Sequence, residues 1–144
     1  MDRGDFISLT ISIALTTLTV GIHYQLLSLV GGLSRRYGLK AGRGIAVMFL
    51  CIFIAHYLEI IVYALGYFWL VDRYELGSLQ GNIDTGFGSF VYFSAVTYTS
   101  LGMGDIVPTG ALRLLVSFEA LTGLVMITWS ASYTFLHMQK YWEA

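Results

Sequence analysis

The sequence carries one cysteine, Cys51, and charged residues make up only 12% of its 144 positions. A single cysteine excludes an internal disulfide framework and a cysteine metal cluster. Charge this scarce, about half the usual globular share, excludes a disordered chain. The net charge of −1 leaves no nucleic-acid footprint. No phosphate-binding loop, nucleophile triad or metal-ligand cluster is present, and no arginine repeat runs through the apolar segments. What the chain does have is apolar surface, at 56% of its residues. A fold this small cannot hide that much from water, so an integral membrane protein is expected.

Three runs reach the roughly 20 apolar residues that a membrane-crossing helix needs: 6–30, 45–71 and 111–136. A fourth run, 87–101, is too short to cross and suits a buried or re-entrant helix. The first run follows the net-acidic start MDRGD and has no small-x-small cleavage pattern, so it reads as a retained helix. Five hydroxyl residues, Thr10, Ser12, Thr16, Thr17 and Thr19, fit it for close packing on a neighbouring helix.

The basic residues set an expected orientation. The connection 33–44 holds Arg35, Arg36, Lys40 and Arg43 without an acid, so it is expected in the cytoplasm as a basic loop. The N-terminus then lies outside, and the C-terminus, with Lys140, lies inside. Asp72, Glu75, Asp84 and Asp105, against Arg73 and Arg113, make the outer side acidic and able to gather cations weakly. Tyr67, Phe68 and Trp69 fit an outer aromatic belt, and Tyr141 and Trp142 an inner one. The short fourth run must enter from outside and return there.

Residues 86–110 read GFGSFVYFSAVTYTSLGMGDIVPTG. Asn82, Asp84 and Thr85 offer capping oxygens for a short helix that ends near Thr99. Alternating glycines then follow. Glycine tolerates backbone angles closed to other residues, so an extended strand here can aim successive carbonyls to one side. At membrane depth such carbonyls survive only along a watery or ionic path, and they suit cations. The C-terminal end of the preceding helix also favours a cation.

The stretch resembles the pore loop of the potassium channel superfamily, in which an aromatic-rich pore helix leads into Thr-x-Thr-Val-Gly-Tyr-Gly-Asp and often x-x-Pro. Tyr92 and Phe93 stand for the aromatic pair, followed by Thr97 and Thr99. Ser100 stands for the filter threonine, Leu101 for the valine and Met103 for the tyrosine, while Gly102, Gly104, Asp105 and Pro108 match outright. The resemblance spans about 45–138. It implies an outer helix 45–71, a pore helix 87–99, a filter 100–105 and an inner helix 111–137, with 1–32 an extra N-terminal helix. It further implies K⁺ at the carbonyls of Ser100, Leu101, Gly102 and Met103, with Na⁺ a competing permeant ion. One filter strand per chain implies a homotetramer around a central pore in a plasma membrane, with no cofactor beyond the permeant ion. The expected fold is all-α: three transmembrane helices, a re-entrant pore helix and an extended filter.

The same resemblance gives roles to single residues. Tyr92, Phe93, Thr99, Asp105 and Glu119 would support the filter. Gly123 falls near the hinge glycine, and Leu124, Ile127, Ala131 and Phe135 form one stripe for the cavity and inner gate. A lipid-facing or packing stripe is the competing assignment. An ionisable Glu119 inside a span is a functional candidate in its own right, as is Glu59, three residues from His56. His23 reads as a satisfied packing or interface residue and Cys51 as inert packing, and Trp129 and Tyr133 as a face toward lipid or span one. Three alternatives stay open. One is a weakly selective cation channel. Another is an intramembrane aspartyl protease of the GxGD kind, though its chemistry needs two facing aspartates and every Asp besides Asp105 lies at a terminus or in a loop. The third is a non-conducting accessory subunit.

Overall fold

The computed structural model describes residues 3–37, 41–74, 76–84 and 86–142, with backbone alone for 33–37, 41, 72–74 and 140–142. Three long helices dominate: α1 (Arg3–Tyr37), α2 (Ala41–Tyr74) and α4 (Leu112–Trp142). Between α2 and α4 come the short strand β1 (Leu79–Gly81), the helix α3 (Phe87–Tyr98) and the short strand β2 (Ile106–Pro108). Arg3–Gly32, Gly42–Val71 and Leu112–Gln139 are each long and apolar enough to cross a bilayer. An apolar segment in lipid must pair its own backbone polar groups, and a continuous helix does so.

The long helices overrun the apolar runs. Residues 33–37 close α1 and 41–44 open α2, so most of the expected basic loop is helix. Leu and Arg favour the helical backbone, and no proline stops it there. Likewise α4 continues past 137 to Trp142, while α3 stops at Tyr98 and leaves Thr99 as its C-cap. Lys40, Glu75 and Thr85 lie outside the described residues, and the side chains of Arg35, Arg36, Asp72, Arg73, Lys140, Tyr141 and Trp142 lie outside the described side chains.

The main core joins Tyr63, Tyr67 and Leu70 of α2, Phe90, Phe93 and Tyr98 of α3, and Leu112, Leu115 and Met126 of α4. Ile11, Leu15 and Val20 of α1 pack onto it. A second cluster ties Leu27 and Val30 of α1 to Met48 and Ile52 of α2, with Cys51 beside it. The first helix therefore docks on α2 and α4 of its own chain. Gly66 lets it approach, since a Cβ there would sit 2.6 Å from Leu15 Cδ1. Phe49, Leu50, Phe53 and Leu65 stay exposed on the outer flank of α2, a face that hydrocarbon accepts.

The path of α3 is fixed by aromatic contacts. Its first residue, Phe87, meets Phe68 near the C-terminal end of α2. Its last, Tyr98, meets His56, about 18 Å lower on α2 at 1.5 Å per residue. The helix thus descends part of the way and stops. The chain then climbs back, and β1 and β2 pair antiparallel at the top, Leu79 opposite Pro108 and Gly81 opposite Ile106. The backbone N–H of Asn82 donates to the Asp105 carbonyl at 3.0 Å, extending that ladder by one bond. Asn82 and Asp84 do not cap α3. Gly86 occupies the N-cap without a side-chain bond, and the Asp84 N–H donates instead to Ser89 Oγ.

Candidate functional site

Helix α3 ends through its own backbone. Thr99 is the C-cap, and Ser100 takes a left-handed φ of 56°. The Ser100 N–H then bonds the Thr97 carbonyl, and the Leu101 N–H bonds the Val96 carbonyl. This is the double bond pattern of a Schellman stop. Serine holds that angle at a cost of about 1–2 kcal/mol, because its Cβ crowds the following carbonyl. The left-handed angle then recurs at every second residue, with φ 54° at Gly102 and 79° at Gly104. Alternation of hand turns successive peptide planes so that their carbonyls can share one side. Leu101 and Met103 are both 64% exposed, so the described residues leave the strand largely uncovered.

The strand is held at both ends. At the bottom, Thr99 Oγ1 donates to the Ala95 carbonyl at 2.7 Å. At the top, the Tyr92 hydroxyl donates to Asp105 Oδ2 at 2.8 Å. That bond to the carboxylate pushes the Tyr92 phenol up from its ordinary value. Phe93 is buried, with its ring edge-on to Tyr67 at 5.1 Å. Tyr67 is itself buried, so it does not join the outer belt, whereas Phe68 and Trp69 are exposed. Met103 lies beside an apolar groove lined by Phe93, Val96 and Val116.

Behind α3 stand two buried polar groups. In the upper one, Glu119 of α4 accepts from the Tyr67 hydroxyl and meets Ser94 Oγ at 2.5 Å. Ser94 Oγ also lies 2.8 Å from the Ile60 carbonyl. That carbonyl can only accept, and one serine hydrogen cannot serve both neighbours. A hydrogen on the Glu119 carboxyl completes the chain Glu119, Ser94, Ile60. In the lower group, Glu59 Oε1 meets His23 Nδ1 of α1 at 2.8 Å, and Glu59 Oε2 accepts from the Tyr98 hydroxyl. His56 Nδ1 lies 2.9 Å from that hydroxyl, and Ser130 Oγ bridges His23 Nε2 and His56 Nε2.

Between them, α3 also comes up against α4 at Gly123. A Cβ on Gly123 would fall 1.9 Å from the Tyr98 carbonyl oxygen. The glycine is thus required by a close approach, and α4 runs through it unbroken. The stripe Leu124, Ile127, Ala131 and Phe135 is exposed and faces away from the chain's own body. Trp129 and Tyr133 turn the other way. Trp129 stacks on His23 at 5.3 Å, and the Tyr133 hydroxyl donates to the Leu27 carbonyl of α1 at 2.9 Å.

Sequence reasoning missed Ser94, Tyr98 and Ser130, and did not name the partners of His23. His23 is a satisfied interface residue, fully buried and partnered by Glu59 of α2 and Ser130 of α4. One signal did point there: an intramembrane Glu59 beside His56 needs partners from other helices. The hydroxyls of α1 divide. Thr16 reaches Tyr63 and Thr122, and Ser8 reaches the Ala111 carbonyl. Thr10, Ser12, Thr17 and Thr19 bond carbonyls of their own helix.

Three bilayer-length helices, with a short helix that descends against α2 and α4 before the chain returns, define an all-α membrane channel, and the protein is multi-pass. Residues 55–140, more than half of the chain, match the family described as Ion channel (Ion_trans_2), and the chain belongs to that family. The family is one of ion channels and not of enzymes, which removes the protease reading of the GMGD segment. No curated protein and no solved structure matches the chain.

Proposed function

We propose that four copies of this chain form a K⁺-conducting channel whose filter is the backbone of Ser100, Leu101, Gly102, Met103 and Gly104. The observation that carries the reading is the alternating left-handed backbone at Ser100, Gly102 and Gly104, directly after a helix that ends beside His56, midway along α2. Carbonyls of Ser100, Leu101, Gly102 and Met103 would replace the hydration shell of the ion. The C-terminal end of α3 adds negative potential below them. Asp105, tied to Tyr92, fixes the upper end, and the Glu119 group backs α3. A single exposed strand per chain is a quarter of such a pore, and the exposed stripe from Leu124 to Phe135 supplies the inner lining. The N-terminus faces outward and the C-terminus the cytoplasm of a plasma membrane, as the basic residues direct.

Met103 favours a second reading. It carries no donor with which to brace the filter, so weak selectivity between K⁺ and Na⁺ is the alternative. Reversal potentials of purified protein in planar bilayers, with K⁺ on one side and Na⁺ on the other, decide. A reversal near the K⁺ equilibrium potential supports the filter as drawn, and a reversal near zero replaces it with a nonselective pore. Gly102→Ala forces a Cβ into the left-handed region and serves as the non-conducting control.

A further inference from the structure

The lower polar group is a closed ring. Its contacts run Glu59 to His23, His23 to Ser130, Ser130 to His56, His56 to Tyr98 and Tyr98 back to Glu59. It ties α1, α2, α3 and α4 together, and among the described residues no buried side-chain polar atom lacks a partner. Each contact needs one hydrogen, so the five contacts hold five hydrogens. Ser130 and Tyr98 bring one each. The remaining three are shared by Glu59, His23 and His56. Either the carboxyl is protonated beside two neutral imidazoles, or a carboxylate stands beside one imidazolium. Both forms close the ring and both are neutral overall. A further proton sets two hydrogens against each other in one contact, and a missing proton leaves a contact empty.

We propose that this ring is the positioning device by which α1 holds Tyr98, and with it the filter, and that an added proton opens it and lowers conduction. His23 lies outside the matched stretch 55–140, so the extra helix gains a role that the channel unit alone does not have. Tyr98 is gripped twice. Its side chain closes the ring, and its carbonyl presses on the backbone at Gly123. Thr99 and Ser100 follow it directly, so a freed Tyr98 releases the base of the filter. Two titratable side chains face Tyr98 from outside the ring, Tyr63 of α2 and Glu119 of α4. Each sits in a hydrogen-bonded group of its own, Tyr63 with Thr16 and Thr122, Glu119 with Tyr67 and Ser94. From α1 and α3, the groups that face the ring are its own members His23 and Tyr98.

The proposal rests on the conduction reading, and its test separates the two. Full-length protein in liposomes is assayed for K⁺ flux as the pH falls through the imidazole range, from about 8 to about 5. In parallel, a Trp69→Phe, Trp142→Phe variant keeps only Trp129, whose ring lies on His23, as a fluorescent reporter. Flux should fall with acid, and Trp129 emission should change at the same midpoint as the ring's hydrogen bonds rearrange beside it. Ser130→Ala, missing one bridging oxygen, should hold flux at the acid level at every pH, and Ser130→Thr should restore the wild-type profile. His23→Phe, which keeps the ring volume, should abolish the fluorescence step. An acid limb unchanged in Ser130→Ala, or Trp129 emission indifferent to acid, would overturn the proposal. Absence of flux at every pH from a protein whose Trp129 emission still titrates would overturn the conduction reading and leave the proton-counted ring supported.

Discussion

Glu119 and Glu59 are both fully buried, both lie in helices that cross the bilayer, and both reach the same short helix. Their partners differ in kind. Glu119 has two hydroxyls, from Tyr67 and Ser94, neither of which takes up a proton near neutral pH. Its group is an open chain that ends on the Ile60 carbonyl. Glu59 has two imidazoles within reach and sits in a closed circuit. The upper group acts as a fixed prop and the lower one as a clasp that counts protons. The lower one also draws in α1, whereas the upper one uses α2, α3 and α4 alone.

The strongest way to break both at once is Gly123→Ala. The added Cβ would meet backbone, the Tyr98 carbonyl at 1.9 Å, so either α3 or α4 must move. Overpacking of this kind costs about 1–3 kcal/mol or more, and thermal unfolding in detergent should drop accordingly. Gly66→Ala provides the contrast, because its Cβ meets side chains alone, the nearest being the flexible end of Leu15 at 2.6 Å. If Gly66→Ala proves the more damaging, α3 is not pinned where the geometry has it.

Next in size is the difference between Glu119→Ala and Glu119→Gln. Alanine strands the Tyr67 hydroxyl, at about 1–3 kcal/mol for a buried donor left unpaired, and leaves Ser94 only its bond to the Ile60 carbonyl. Glutamine keeps the arrangement, its carbonyl accepting from Tyr67 and its amide donating to Ser94. Flux and thermal stability should therefore be near wild type in the glutamine variant and lost in the alanine variant. A glutamine variant as poor as alanine would mean that the carboxyl itself, rather than the donor pattern, is required. Glu59→Ala should go further and loosen α1, which then becomes more open to proteolysis.

The sequence makes the main architecture readable for a physical reason: a span must be a long apolar helix, and a run too short to span must turn back. The left-handed alternation at Gly102 and Gly104 was legible too, since alternating glycines after an apolar helix constrain the backbone strongly. Cross-helix partners were not. His23 is one histidine in an apolar run, and nothing in its neighbours says that Glu59, thirty-six residues on, faces it. Ser94 and Ser130 look like small packing residues until α2 and α4 are placed beside them. Helix ends were misjudged because an apolar count stops at the hydrocarbon edge, while the helical backbone continues into polar surroundings through Arg and Tyr.

The smallest effect is expected at a third buried group, and it sharpens the contrast because no carboxylate or imidazole takes part. Thr16 Oγ1 of α1 lies 3.0 Å from the Tyr63 hydroxyl and 3.2 Å from Thr122 Oγ1, and the Tyr63 hydroxyl donates to Thr122 at 3.2 Å. Interhelical hydrogen bonds in membranes average about 0.6 kcal/mol, so Thr16→Val should cost roughly 1 kcal/mol by removing two of them. Thr17→Val removes only a bond to the Ile13 carbonyl of the same helix, on an exposed face, and should be nearly silent. Since Thr16, Tyr63 and Thr122 keep their hydrogens through the imidazole range, the Thr16→Val loss should be the same at about pH 8 and about pH 5. A Thr16→Val variant that shifted the acid response as much as Ser130→Ala would show that any loosening of α1 reaches the filter, and the distinction between a prop and a proton-counting clasp would collapse.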